Sequence, residues 1–164
     1  KMKLKIFVLL LFGLTLISCT ESPSNLETVE TWSDGNPKKE IYWLVKKDSI
    51  FREITYFKNG QINQKHIITN GELEKMTAYY QTGEIAALIM YENGKPVAGA
   101  EYYKNGQKRG EISYDLNGNL NGIARYFNED GTLSTEGEYK NDKRHGVWRN
   151  YDEQGIIIKE VVYN

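Results

Sequence analysis

The sequence predicts an all-β fold, an elongated antiparallel meander of about six repeated β-hairpins in a single sheet, and three observations carry that prediction. Six glycines, Gly35, Gly60, Gly83, Gly106, Gly131 and Gly155, recur 25, 23, 23, 25 and 24 residues apart. Eight residues after each stands Trp43, Ile68, Tyr91, Tyr114, Tyr139 or Tyr163. Three or four residues before each stands Trp32, Phe57, Tyr80, Tyr103, Phe127 or Tyr151, preceded in four copies by Tyr56, Tyr79, Tyr102 or Tyr126. These columns hold 15 of the 18 aromatics beyond residue 18, so the chain is one unit of about 24 residues, repeated.

Each unit reads as a hairpin. Asn-Gly supplies the positive φ angles that two-residue hairpin turns need, and six such pairs occur, at Asn59, Asn70, Asn93, Asn105, Asn117 and Asn121. Between them run segments of strand length rich in Tyr, Ile, Val and Thr, such as "EISY" and "IIIKEVVY". Side chains alternate along a strand. The columns therefore predict one face carrying Ile54, Tyr56, Thr77, Tyr79, Ala100, Tyr102, Ala124, Tyr126 and Trp148. The other then carries Thr55, Phe57, Ala78, Tyr80, Glu101, Tyr103, Arg125, Phe127, Arg149 and Tyr151.

The strings "YFKNGQ", "YYQTGE", "YYKNGQ" and "YFNEDGT", with the downstream "GVWRNYDEQG", resemble MORN repeats (membrane occupation and recognition nexus). The resemblance is to the bacterial variant known from YwqK-type antitoxins of toxin–antitoxin systems, and it covers residues 31–164. It implies an extended antiparallel sheet of consecutive hairpins and no catalytic residues. The first two copies depart from the pattern, with Thr31-Trp32 in place of the aromatic pair and "KKDSIFREI" lacking the second glycine turn, and the first repeat reads as a degenerate cap.

The N-terminal region is of another kind. Lys1, Lys3 and Lys5 precede an apolar run, Ile6 to Ile17, of 12 residues, short of the ~20 that a membrane-spanning helix needs. It reads as a signal peptide over residues 1–18. The following "LISC" resembles the bacterial lipobox, in which cleavage falls between Ser18 and Cys19 and the cysteine thiol carries a diacylglycerol. Residues 19–30, polar and without periodicity, then form the lipidated cysteine and a tether to the repeat domain at 31–164. Cys19 is the single cysteine, so no intrachain disulfide forms. By resemblance, Thr20 after the cysteine favours the outer membrane in a Gram-negative cell.

Charge and motif content narrow the function. Cleavage before Cys19 leaves 18 basic residues against 22 acidic, a formal net charge of −4, and nucleic-acid binding needs a basic surface that this composition does not supply. The two histidines, His66 and His145, are far apart in sequence, and no phosphate-binding glycine loop, nucleophile elbow or zinc-binding HExxH string occurs. The expectation is a non-enzyme without cofactor or metal. Three classes remain: a membrane-anchored protein-binding or scaffolding module at the cell envelope, an antitoxin or immunity protein that caps a toxin, and a structural envelope lipoprotein. The candidate binding surface is Trp148 with Lys143, Arg144 and Arg149, a large aromatic among basic residues, a composition common at interface hot spots. The competing expectation is that Trp148 caps the open end of the apolar stripe.

Overall fold

The computed structural model describes residues 25–45 and 49–164. The signal peptide, Ser18 and Cys19 lie outside them. The described residues form twelve strands: β1 (Leu26–Thr31), β2 (Pro37–Val45), β3 (Ile50–Tyr56), β4 (Ile62–Thr69), β5 (Glu72–Tyr79), β6 (Ile85–Glu92), β7 (Lys95–Tyr102), β8 (Lys108–Ser113), β9 (Gly122–Phe127), β10 (Leu133–Lys140), β11 (Lys143–Tyr151) and β12 (Ile157–Tyr163). They lie in one open sheet in chain order, and every neighbouring pair is antiparallel. The fold class expected from the sequence is the fold observed, six hairpins with each anchor glycine in the turn of one. Strand β1 takes up Leu26–Glu30, which the sequence reading placed in the tether. All six of its residues are exposed, so it has no alternation to read and is held through its backbone pairing with β2.

Two turn chemistries occur along the chain, and only one is the two-residue kind expected. Between hairpins, Asn70-Gly71, Asn93-Gly94 and Asn141-Asp142 have positive φ at both residues, the requirement of the tight turn whose twist matches its strands. At the anchors only the glycine is left-handed. In the turn at Gly106, Gly106 N–H donates to Tyr103 O at 3.0 Å and Tyr103 N–H to Gln107 O at 2.8 Å, a type I turn closed by a glycine bulge. Asn105 stays at negative φ, and its side-chain oxygen accepts from Gln107 N–H at 2.9 Å. The same pair of backbone bonds closes the turns at Gly35, Gly60, Gly83, Gly118, Gly131 and Gly155. Asn121-Gly122 is not a turn, since Gly122 opens β9.

The turns also bind one another along the sheet edge. Tyr80 Oη donates to Tyr102 O at 2.7 Å, Tyr103 Oη to Phe127 O at 2.9 Å, and Asn105 Nδ2 to Glu129 O at 2.7 Å. Each bond joins one unit to the next, the nearest-neighbour coupling expected of a repeat array.

Register corrects the faces. One row of directly opposed residues crosses the whole sheet: Thr28, Glu40, Ile54, Lys65, Thr77, Leu88, Ala100, Glu111, Arg125, Glu136, Arg149 and Glu160. We term this the front face. Ala100 therefore shares a face with Arg125, and Ala124, Tyr126 and Trp148, expected beside Ala100, lie on the back. The physical reason is in the turns. Trp32, Phe57, Tyr80 and Tyr103 are the first residues of their turns, but Asn128 and Asp152 hold that place in the last two. The aromatics there stand one residue farther from the turn, and one residue inverts the face.

A single sheet has no second layer to bury it. Among the described residues the buried apolar side chains are Ala124, fully covered, and Trp148, 2% exposed, both on the back, while the buried polar ones, Glu40 and Thr77, are on the front.

Candidate interaction surface

On the front face the middle hairpins form an apolar trough. Ala98 and Ala100 on β7 are small, and they lie between Leu88 and Met90 on β6 and the pair β8–β9, which contributes Glu111, Ser113, Ile123 and Arg125. The resulting cleft has a volume of about 450 Å³. Met90 and Ile123 stand 40% and 55% exposed beside it, where burial would be worth about 25 cal/mol per Å² covered. A smaller hollow of about 200 Å³ continues toward β11, with Ile123, Arg125, Glu136, Glu138, Val147 and Arg149 around it.

A ladder of charges starts at the trough with Glu111 and Arg125 and runs across the front face toward β12. Glu111 takes Lys108 Nζ at 2.7 Å and Arg125 Nη1 at 3.2 Å. Arg125 Nε lies 3.5 Å from Glu136, which accepts Tyr151 Oη at 2.6 Å. Arg149 Nε meets Glu160 at 2.8 Å. The Lys108 ammonium first, and then the Arg125 guanidinium, hold the Glu111 carboxyl below its usual range against partial burial. Exposed pairs of this kind contribute at most about 1 kcal/mol each. Their effect is to fix side chains of alternating sign along one side of the apolar floor.

Trp148 and Arg144 come together on the back. The indole Nε1 donates to Glu138 O at 3.0 Å. Tyr139 meets the ring edge-on at 5.1 Å, Tyr163 edge-on at 6.4 Å, and Tyr126 stacks at 6.4 Å. The Arg144 guanidinium covers the ring at 4.2 Å and donates to Tyr163 Oη at 3.2 Å, a bond that raises its already high pKa. Arg149 does not join them, since it projects on the front toward Glu160. Lys143 is exposed at the start of β11. The four basic and aromatic residues are thus divided between the two faces and the first residue of β11.

His66 Nδ1 lies 3.4 Å from Glu53, which also meets Lys39 at 2.7 Å. Among the described residues no group of His, Cys, Asp or Glu is arranged to hold a metal ion. Sequence reasoning missed the trough. Its signal was the run of small residues at Ala98 and Ala100, but Leu88 and Ile123 join them only once three strand pairings are fixed.

No curated protein matches the chain. Among solved structures, it is similar to a mutant of S. aureus TarM in complex with Fondaparinux, alpha-GlcNAc-glycerol and UDP, at 13% identity and TM-score 0.46, over 66% of this chain and 21% of that one. It is also similar to a Glycosylation Associate Protein complex from Streptococcus agalactiae, at 13% identity and TM-score 0.42, over 63% of this chain and 19% of that one. The chain thus spans about a fifth of the length of these structures. The family model of the MORN repeat variant matches residues 100–116, 120–141 and 144–164, so three successive units at the C-terminal end of the sheet carry the MORN repeat variant pattern.

Proposed function

We propose that this protein is a non-enzymatic protein-binding module, tethered to a membrane of the cell envelope through Cys19, that docks its partner on the front face. The trough of Leu88, Met90, Ala98, Ala100 and Ile123 carries the reading. An apolar centre inside a polar rim is the anatomy of a protein interface, and Met and Arg are enriched in such surfaces. The repeat array supports it too, because a single sheet presents wide faces for its mass. The anchor rests on "LISC" after the basic and apolar leader.

The test compares capture from solubilised membranes by the parent protein and by Ala100→Arg, which places a long charged side chain on the trough floor. The reading expects a defined partner with the parent and its loss with the variant, while the circular dichroism of the two is the same. Undiminished capture by a folded Ala100→Arg protein overturns it. Cys19→Ala tests the anchor separately and should abolish both the lipid and membrane retention.

A further inference from the structure

Two polar atoms are buried without a hydrogen-bond partner among the described residues, Trp32 Nε1 and Thr55 Oγ1. Both residues border the same cleft, of about 390 Å³, over the first two hairpins. A buried donor or hydroxyl left unpaired is costly, and native interiors hold few. Two at one opening point to a ligand that supplies the missing bonds.

The surrounding groups define its chemistry. The back-face register sets Lys39 between Glu30 and Thr55, and Thr55 opposite Gln64. Lys38 is paired with Glu30 at 2.9 Å and Lys39 with Glu53 at 2.7 Å, so the cations are already balanced and the cleft favours neither an anion nor a cation. Asn63 and Gln64 add amides that both donate and accept. Lys38 Nζ lies over the Trp32 ring at 5.4 Å. The cleft falls within the size range of small-molecule sites, about 300–1,000 Å³.

We infer that this cleft binds a neutral polyhydroxylated ligand, a saccharide unit, whose hydroxyls accept from Trp32 Nε1 and exchange a hydrogen bond with Thr55 Oγ1. A hydroxyl both donates and accepts, which is what an indole N–H, a threonine hydroxyl and two amides together require. The inference is independent of the front-face trough, which lies on other strands and the opposite face.

The test uses the full chain with nitrogen-15 label, observing the indole N–H resonances of Trp32, Trp43 and Trp148 during titration with maltose, cellobiose and di-N-acetylchitobiose. Trp32→Phe assigns the first resonance. The expected result is a saturable shift of the Trp32 resonance by at least one of the three sugars, with Trp148 unmoved. Thr55→Val, which keeps the shape and removes the hydroxyl, should weaken that sugar about tenfold, the worth of one hydrogen bond, without lowering the melting temperature. If none of the three sugars shifts the Trp32 resonance, or if a folded Thr55→Val protein binds as tightly as the parent, the inference is overturned.

Discussion

The Trp148 indole lies across Gly137 so closely that a β-carbon added at Gly137 would overlap the ring. Gly137 stands opposite Ala124, the fully covered residue of β9. A glycine and an alanine thus form the seat, and Tyr126, Tyr139 and Tyr163 form the wall. Gly137 has ordinary strand φ, so its role here is space. Gly137→Ala should cost about 1–3 kcal/mol by overpacking, and Trp148→Ala about 3–5 kcal/mol by emptying the seat. Urea unfolding followed by circular dichroism measures both.

Arg144 covers the ring from the other side, at 4.2 Å. Arg144→Met keeps a long apolar stem and removes the charge, so the expected loss is about 0.5–1 kcal/mol. A null effect would mean that the guanidinium does not brace the indole in solution.

The anchor glycines separate conformational cost from crowding. Gly106 has φ +84 and nothing within 4 Å of where a β-carbon would stand. Gly106→Ala and Gly106→Val should therefore both destabilise, by about 1–2 kcal/mol for the left-handed backbone alone, with Gly106→Asn milder because asparagine tolerates that region. Equal stability of all four proteins would remove the turn from the list of what fixes register.

Tyr56 provides a pH test. Its hydroxyl donates to the buried Glu40 carboxylate at 2.6 Å, and partial burial first, then that bond, push its pKa from 10.0 to about 12. The folded state holds the proton more tightly than the unfolded chain. The stability this gives is full below pH 10 and is lost as the pH climbs through about 12. Other tyrosines are also raised, so the useful quantity is the difference in unfolding free energy between the parent and Tyr56→Phe. That difference should be flat at neutral pH and should shrink between the two values.

Much of this fold was open to reading because turn chemistry and period are local. The Gly35-to-Gly155 spacing located all six hairpins, and the aromatic eight residues beyond each anchor, where it is one, falls on the back face throughout. The faces of the last two hairpins were not open to it. Tyr126 resembles Tyr102 in the sequence, yet Asn128 takes the turn position that Tyr103 holds, and register follows hydrogen bonds at the turn, not side-chain likeness. Arg149 was grouped with Trp148 by closeness in sequence, although strand alternation alone sets neighbouring residues on opposite faces, and the structure has them so. The trough depends on non-local pairing, from Leu88 on β6 to Ile123 on β9, which no short stretch encodes. Strand β1 was illegible because nothing in it is buried.

The most direct measurement places a photo-activated cross-linking residue at Ile123, exposed on the front beside the trough, and in a second protein at Lys159, exposed on the back opposite Asn150. Each full-length protein is irradiated in the membranes of the cell that makes it. If the front face is the docking surface, Ile123 yields one discrete adduct and Lys159 none. Adducts from Lys159 alone, or none from either position while both proteins remain folded and membrane-bound, would contradict it.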